Sequence, residues 1–193
     1  MAKRIILGGI LGGIVLFLWQ SVSHLMLPLG EMGIKRMGNE DTVVAALRES
    51  IPQPGFYFFP AADTTPGMSK EQKQEAMRWA QEKYRTGPNG ILIFHPQGGE
   101  ALSPRQLLTQ LEVDVTALLV GAFLLAHVSP LVGFGSRLLF VTLLGLLPGL
   151  VVNLPYWNWY GFPTDYTVAQ LADHLVGFFL AGLVLAGLVR PTS

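Results

Sequence analysis

The chain contains no cysteine and little charge. Its 193 residues include 13 Lys and Arg and 13 Asp and Glu, and the charged share of 13% is about half that of a typical soluble domain. The absence of cysteine excludes disulfides, thiolate metal sites, iron–sulfur clusters and cysteine nucleophiles. Because basic and acidic residues balance, the chain has no overall basic surface, and we expect no nucleic-acid partner.

Common catalytic and metal-binding motifs are also absent. The sequence has no P-loop, no dinucleotide-binding fingerprint and no G-x-S-x-G nucleophile motif. It has no H-E-x-x-H, H-x-x-x-H or E-x-x-H pattern, and no two of its four histidines lie within one helical turn. The sequence therefore predicts no metal site and identifies no cofactor, and a non-catalytic role is favoured over an enzymatic one.

Half of the sequence is hydrophobic, and these residues are grouped in long blocks. A helix of about 20 mostly apolar residues crosses the hydrocarbon core of a bilayer. Four blocks have roughly that length, over residues 5–27, 113–131, 138–154 and 167–189. The third block contains Pro148, where we expect a kink. The predicted fold class is therefore a mainly α membrane protein with four transmembrane helices, and its first partner is the lipid bilayer.

The segment between the first two blocks is long enough to form a small domain. We divide the chain into a first transmembrane helix (1–27), an α+β domain (28–110) and the remaining three helices (111–193). Within the α+β domain, the spacing of Pro, Gly and capping residues predicts a helix, a strand, a second helix and a second strand. Ser103 and Pro104 predict the start of a helix that continues into the second span.

Local signals set the expected bounds of these elements. Asn39 is the candidate N-cap of the first helix, and the pattern Ser69–Gln72 is a capping box for the second. The strands are expected at 55–59 and 91–95. The aromatic and proline-rich stretch 155–166 is expected to be an outer loop, which forms either an interfacial belt with a rigid turn or a lid or docking surface.

The placement of charge predicts the orientation of the chain in the membrane. Lys3 and Arg4 precede the first span, Arg137 lies between the second and third, and Arg190 follows the fourth. All 13 acidic residues fall outside these three segments. The positive-inside rule then places both termini in the cytoplasm of a bacterium, with the protein in the inner (plasma) membrane and residues 28–110 on its periplasmic or extracytoplasmic side.

A cleaved signal peptide is the alternative interpretation of the N-terminus. Lys3 and Arg4 resemble the basic n-region of such a peptide, and Ser21 and Ser23 form a weak small-x-small cleavage site. The apolar run continues through Leu27, however, and is long enough for a full span. A retained helix is therefore favoured.

Polar side chains within the spans are candidate functional residues, because they are costly to place in lipid. His24, Asn153, Asp173 and His174 are expected at one depth in the outer leaflet, and Gln170 shares a helix face with the last two. Together they predict a ligand pocket beneath the α+β domain, for a metal, a quinone head group, a haem edge or a small polar substrate. The alternative is ordinary hydrogen bonding between helices and to lipid head groups.

Small residues at four-residue spacing predict close helix packing in the first and fourth spans. The glycines concerned are Gly8, Gly9, Gly12, Gly13, Gly177 and Gly182. The first four form two overlapping G-x-x-x-G patterns, and the other two are each followed by alanine four residues later. Such faces pack within the four-helix unit, or alternatively against a second copy or another membrane subunit.

Three functions are compatible with this sequence. The favoured one is a non-catalytic accessory or structural subunit of a larger bacterial inner-membrane complex, because the helices carry glycine faces and the α+β domain is small. The second is a small membrane binding protein or sensor that uses the polar pocket. The third is a membrane enzyme in which Asp173 and His174 form an acid–base pair, assisted by His24.

Overall fold

The structure is a computed structural model that describes residues 1–128 and 133–190. The chain divides into two compact units. The membrane unit consists of Met1–Lys35 together with Ala101–Ser193, and the α+β unit consists of Arg36–Glu100. Most of the described residues are helical, and a single pair of strands forms the only sheet among them.

The membrane unit contains four helical segments that are long and apolar enough to cross a membrane, as the sequence predicts. The first, second and fourth are single helices, α1 (Ala2–Leu25), α4 (Pro104–His127) and α8 (Thr164–Leu188). The third segment, Phe134–Tyr160, is interrupted and is described below. The chain is therefore a multi-pass helical membrane protein.

The second span begins well before its apolar block. Ser103 caps α4, because its hydroxyl accepts a hydrogen bond from the backbone N–H of Gln106 (3.3 Å) while the Gln106 side chain accepts one from the N–H of Ser103 (2.8 Å). The prediction of one helix that continues from Ser103 into the second span is confirmed. In the sequence, Ser129 followed by Pro130 predicts the end of this helix, and both residues lie outside the described ranges.

The third span is built from short pieces in series. It comprises α5 (Phe134–Leu144), α6 (Leu146–Pro148), a π-helical turn (Gly149–Asn153) and α7 (Leu154–Tyr160). The expected outer loop at 155–166 is wrong except at residues 161–163, because 155–160 belong to α7 and 164–166 to α8. Pro155 directly follows the π-helical turn, whose backbone is also helical, and the aromatic residues continue the helix.

The link to the fourth span is a three-residue turn. Gly161 ends α7 in the left-handed conformation (φ +69°), and α8 begins at Thr164. The indole N–H of Trp157 donates a hydrogen bond across this turn to the Thr164 hydroxyl (3.1 Å). Tyr156, Phe162 and Tyr166 pack in series, with ring centroids 5.3 and 5.5 Å apart. The aromatic residues therefore brace a tight helix–helix connection.

The core of the membrane unit lies along α1, α4, α5 and α8. Helix α1 packs against α4 and α8, and α5 packs against α8. The fully buried side chains of this core include Leu118 and Leu125 of α4, Val141 of α5 and Leu185 of α8. Because lipid is as apolar as these side chains, their close packing and dispersion contacts hold the helices together.

The glycines of α1 allow that close approach. A Cβ at Gly9 would lie 2.7 Å from the backbone Cα of Leu119, and a Cβ at Gly13 would lie 2.7 Å from the backbone nitrogen of Val115. Gly8 and Gly12 instead face the side chains of α8 and its C-cap residue Val189. All four glycines are buried against helices of this same chain.

Gly177 and Gly182 of α8 also pack against side chains of the same chain. A Cβ at Gly177 would lie 2.6 Å from Cδ1 of Leu16, and a Cβ at Gly182 would lie 3.0 Å from Cδ1 of Leu138. Contacts within the chain therefore account for the small-residue faces of both helices.

Arg137 is buried in the membrane unit near the end of α8. Its Nε–H donates a hydrogen bond to the main-chain oxygen of Ala186 (2.9 Å), one of the last carbonyls of α8, which lacks a partner within the helix. A cation at a helix C-terminus is also favoured by the helix dipole. This arginine therefore stabilises the end of the fourth span.

The α+β unit contains α2 (Glu40–Ser50), β1 (Gly55–Phe59), α3 (Lys70–Thr86) and β2 (Gly90–Phe94). The strands pair antiparallel, with Gly55 opposite Phe94 and Phe59 opposite Gly90. This confirms the predicted order of elements, and β2 begins and ends one residue earlier than expected. The predicted cap at Ser69 is present as a full capping box.

The predicted cap of α2 has a different form. Asn39 occupies the N-cap position in the left-handed conformation (φ +52°), and its side chain makes no capping hydrogen bond among the residues described. Asparagine tolerates this backbone conformation better than most residues. The residue therefore starts the helix through its backbone geometry.

Candidate functional site

A cavity of about 420 Å³ opens among α1, α4 and α8 within the membrane unit. The wall from α1 is formed by Phe17, Gln20, Ser21, His24 and Leu25. These positions are separated by three or four residues along the helix and therefore share one face. That face presents polar groups at Gln20, Ser21 and His24 to the cavity between apolar side chains.

A second wall is formed by α4 together with Leu102, which precedes the N-cap of that helix. It combines two leucines with two glutamines. Gln106 and Gln110 lie one helical turn apart, next to Leu102 and Leu107. The Nε2 group of Gln110 donates a hydrogen bond across to Oε1 of Gln20 on α1 (3.1 Å). The two helices are thus joined at the cavity by an amide pair.

Asp114 continues this polar face of α4 into the protein. Its side chain is 3% exposed, and its Oδ1 accepts a hydrogen bond from Nε2 of Gln110 (2.9 Å). Its Oδ2 is buried and has no hydrogen-bond partner within the described part of the chain. A carboxyl that is half satisfied in this way is costly, because burial has removed its water.

Helix α8 supplies Gln170, Asp173 and His174 to the cavity. Asp173 is 3% exposed, and its Oδ1 has no hydrogen-bond partner among residues 1–128 and 133–190. Its main-chain oxygen is engaged, since the indole N–H of Trp19 donates to it (3.1 Å). The backbone of Asp173 is therefore anchored to α1, and the residue lines the cavity while its Oδ1 is buried without a partner among the described residues.

The ring of His24 is held by its own helix. Its Nδ1 lies 3.0 Å from the main-chain oxygen of Gln20 and 2.9 Å from the hydroxyl of Ser23, which is fully buried. Which partner donates depends on the tautomer of the ring. These contacts use Nδ1 and leave Nε2 as the second polar atom of the ring.

The cavity carries uncompensated acidic character. The carboxyl group of Asp173 is close enough to act electrostatically on both Asp114 and His174. Across the described residues, no Lys, Arg or His nitrogen lies within 4.0 Å of either carboxyl group. Arg105 adjoins Gln106 in sequence but does not line the cavity. Two buried acids of neighbouring helices thus influence each other electrostatically, and neither forms an ion pair among the described residues.

Four of the five predicted pocket residues line this cavity, namely His24, Gln170, Asp173 and His174. Asn153 does not line it. It lies in the π-helical turn of the third span, and its Oδ1 is buried without a hydrogen-bond partner in the described ranges. The third span contributes none of the residues that form this cavity.

Sequence reasoning missed the glutamines that complete the cavity. Gln106, Gln110 and Asp114 are spaced four residues apart, and this spacing places them on one face of α4. On α1, Gln20 precedes His24 by the same interval. Both patterns are visible in the sequence once α4 is known to begin at Pro104.

The geometry limits the chemistry of the site. Among the residues the structure describes, no group of three or more His, Asp and Glu side chains could hold a metal ion. No hydrogen bond joins the carboxyl group of Asp173 to the ring of His174 within those residues. Asp173 and His174 both line the cavity, but they are not joined as a hydrogen-bonded pair in the described structure.

These features define a multi-pass helical membrane protein with a polar cavity among three of its four spans. No protein-family model matches the chain, and no curated protein and no solved structure matches it. Its function is therefore inferred from the geometry of the cavity.

Proposed function

We propose that the protein is a small membrane binding protein or sensor that takes up a small molecule in the cavity among α1, α4 and α8. The observation that carries this proposal is Asp173, which is buried at the wall of the cavity with one carboxyl oxygen unpartnered. Buried polar groups normally have hydrogen-bond partners, and those that lack one require an explanation. A molecule that places a hydrogen-bond donor or a positive charge at this wall would offset the cost of burying the carboxyl group.

The size and lining of the cavity favour the same interpretation. Ligand sites are concave and mostly apolar, with a few convergent polar groups, and their volumes are typically about 300–1,000 Å³. The cavity has a volume of about 420 Å³. Its polar groups come from three helices, and although Gln20 and Gln110 pair with each other, Oδ1 of Asp173 has no such partner among the described residues.

Filling the cavity is expected to remove the bound molecule. We expect native mass spectra of the protein, purified from its own membranes in mild detergent, to show an adduct of small mass. Ser21→Trp places a large ring at the cavity wall and is expected to reduce this adduct about tenfold or more. The matched control is Leu18→Trp on the same helix, because Leu18 is 56% exposed and does not line the cavity.

Two results would contradict the proposal. One is a wild-type protein that carries no adduct when it is prepared under these conditions. The other is an adduct that persists equally in Ser21→Trp and Leu18→Trp, because the molecule would then be bound elsewhere on the surface.

A role as an accessory subunit of a larger bacterial inner-membrane complex is the second candidate, and the α+β unit favours it. None of its residues from 36 to 100 is fully buried, and Phe56, Trp79 and Ile93 are each more than half exposed. A two-stranded sheet is marginal on its own. The same native mass spectra discriminate this candidate, because stoichiometric additional subunits support it and a lone chain or homo-oligomer argues against it.

The orientation in the membrane is part of the proposal. Both termini are cytoplasmic and residues 28–110 are extracytoplasmic, because Lys3 and Arg4 lie at the start of α1 and Arg190 follows the end of α8. Arg137 lies in the first turn of α5, within the third span, and bonds to the same end of α8. The exposed aromatic side chains of Trp157 and Trp159 fit an interfacial position at the opposite ends of the spans.

Single cysteines are expected to report this orientation, because the chain has none of its own. Glu75→Cys on α3 and Ser136→Cys near the start of α5 both replace exposed residues. In intact bacterial spheroplasts, a membrane-impermeant maleimide is expected to label the first and to label the second only after permeabilisation. The reverse pattern would overturn the orientation, and labelling of both in intact cells would overturn the four-span topology.

A further inference from the structure

We infer that the molecule bound in the cavity is an organic cation, of the amphipathic ammonium class, whose charged group pairs with Asp173. This inference rests on the proposed binding function and names the chemistry of its ligand. It follows from three properties of the cavity, namely the charge of its wall, the absence of a metal-binding cluster and the apolar remainder of its lining.

The charge of the wall comes first. Asp173 is only 3% exposed and lines the cavity. Its Oδ1 has no hydrogen-bond partner in the described chain. Asp114 lies within its electrostatic reach and also has one buried oxygen without a partner there. A buried carboxylate is stable only when it is paired, and an ammonium group provides both the opposite charge and hydrogen-bond donors.

The protein itself does not supply that cation. No basic nitrogen of the described residues lies within 4.0 Å of either carboxyl group, and neither Lys nor Arg lines the cavity. Lys3, Arg4 and Arg190 lie near the opposite ends of α1 and α8. His174 and His24 are the titratable groups that share the lining, and neither forms an ion pair with Asp173 in the described structure.

The remaining lining identifies an organic cation in preference to a metal ion. The described residues contain no group of three His, Asp and Glu side chains arranged to hold a metal. The cavity instead combines Phe17, Leu25, Leu102 and Leu107 with the carboxyl group. A ligand with an ammonium group and an apolar body matches both the carboxyl group and the apolar side chains. Its apolar body contacts those side chains and displaces water from them.

Gln20 and Gln110 hold Asp114 in a hydrogen-bond network next to the cavity. Gln110 donates to Asp114 and to Gln20 through the same amide nitrogen, at 2.9 and 3.1 Å. This network fixes Asp114 behind the wall and leaves Asp173 as the carboxyl group that contacts the ligand. Asp114 then adds negative potential without direct contact, because Coulomb interactions are only weakly screened where water is excluded.

The test compares three aromatic probes of similar size and different charge, namely 2-phenylethylammonium, 2-phenylethanol and 3-phenylpropanoate. Each is titrated into the full chain in nanodiscs, and binding is followed by ligand-observed NMR against empty nanodiscs. We expect the ammonium probe to bind about tenfold or more tightly than the alcohol, and the carboxylate to bind most weakly. Asp173→Asn, which preserves shape, is expected to reduce the ratio between ammonium and alcohol to near one.

The matched control is Asp165→Asn. Asp165 is an exposed acid on the same helix, so this variant removes the same charge from the protein without touching the cavity. The ratio is expected to stay at its wild-type value. If Asp173→Asn does not fold, as judged by far-UV circular dichroism, Asp114→Asn replaces it and is expected to lower the ratio by a smaller factor.

The outcomes separate this inference from the function on which it rests. If the ammonium and alcohol probes bind equally, or if the carboxylate probe binds most tightly, the inference of a cationic ligand is overturned. The proposed binding function survives in that case, provided that Ser21→Trp abolishes the binding. Failure of all three probes, or binding that Ser21→Trp leaves unchanged, overturns both. A selectivity that Asp165→Asn reduces as much as Asp173→Asn also overturns the cation, because it would arise from surface charge.

Discussion

Replacing Gly13 with alanine is expected to lower the free energy of unfolding by about 1–3 kcal/mol, and replacing it with leucine is expected to prevent folding of the membrane unit. The added Cβ would meet the backbone of Val115, with its nitrogen 2.7 Å away. A backbone cannot turn aside as a side chain can, so α1 and α4 would have to separate. Their separation would remove the dispersion contacts along the interface.

Other glycines of the chain provide matched controls. At Gly12 the Cβ would meet the terminal atoms of the Leu185 side chain, which can move, so alanine there is expected to cost less than at Gly13. At Gly187 nothing lies within 4 Å of the added Cβ, and alanine is expected to leave stability nearly unchanged. Equilibrium unfolding by SDS titration, followed by circular dichroism, measures all three. Equal losses at Gly13 and Gly187 would show that the close approach of α1 and α4 is not what the glycines provide.

This packing changes how an accessory role has to be tested. A larger residue at Gly9 or Gly12 does not test release from a partner, because both glycines face helices of the same chain. Loss of a partner in such a variant would be indistinguishable from loss of the fold. Substitutions that probe partners therefore belong on outward positions such as Trp159, which is 72% exposed.

Much of the fold was predictable because its signals are local. A capping box needs only a serine and a glutamine three residues later; the one at Ser69 forms as predicted, and Ser103, predicted only as a helix start, forms another. The four spans follow from the length and hydropathy of their blocks, and the two strands follow from short apolar runs between turn residues. Each of these signals acts within one element and does not depend on tertiary contacts.

The third span shows where local signals are insufficient. Its aromatic residues and Pro155 are typical of a turn, yet they continue the helix as α7, directly after the π-helical turn. The π-helical turn before it adds a residue to the helical period and so rotates everything that follows. This rotation could not be inferred from composition, and depth alone wrongly suggested that Asn153 would join the cavity.

The cavity itself depends on the rotation of helices about their axes. His24, Asp173 and His174 could be placed at one depth from the sequence, because depth follows from the count of residues along each span. Whether they face one another is decided by which faces pack, and in this protein the glycine faces of α1 and α8 decide it. The glutamines of α4 line the cavity because the packing of the helices turns their face of α4 toward it.

Replacing Asp173 with leucine is expected to raise the free energy of unfolding of the ligand-free protein by about 1–3 kcal/mol. The carboxyl group is buried with one oxygen unpartnered in the described structure, and an unsatisfied polar group costs free energy whether or not it is ionised. Leucine removes that group, and the adjoining cavity leaves room for its larger side chain. SDS titration of the delipidated protein in mild detergent measures the change.

Thr167→Val is the control, because Thr167 is buried on the same helix but its hydroxyl donates a hydrogen bond to the carbonyl of Pro163 (3.0 Å). This variant is expected to lower stability by about 0.5–1.5 kcal/mol, so the two substitutions should have opposite signs. A residue that weakens the fold is retained when function requires it, and Asp173→Leu is therefore expected to gain stability while it loses the bound molecule. Loss of stability in Asp173→Leu would mean that the carboxyl group is satisfied within the folded chain. The proposed binding function would then lose the observation that carries it.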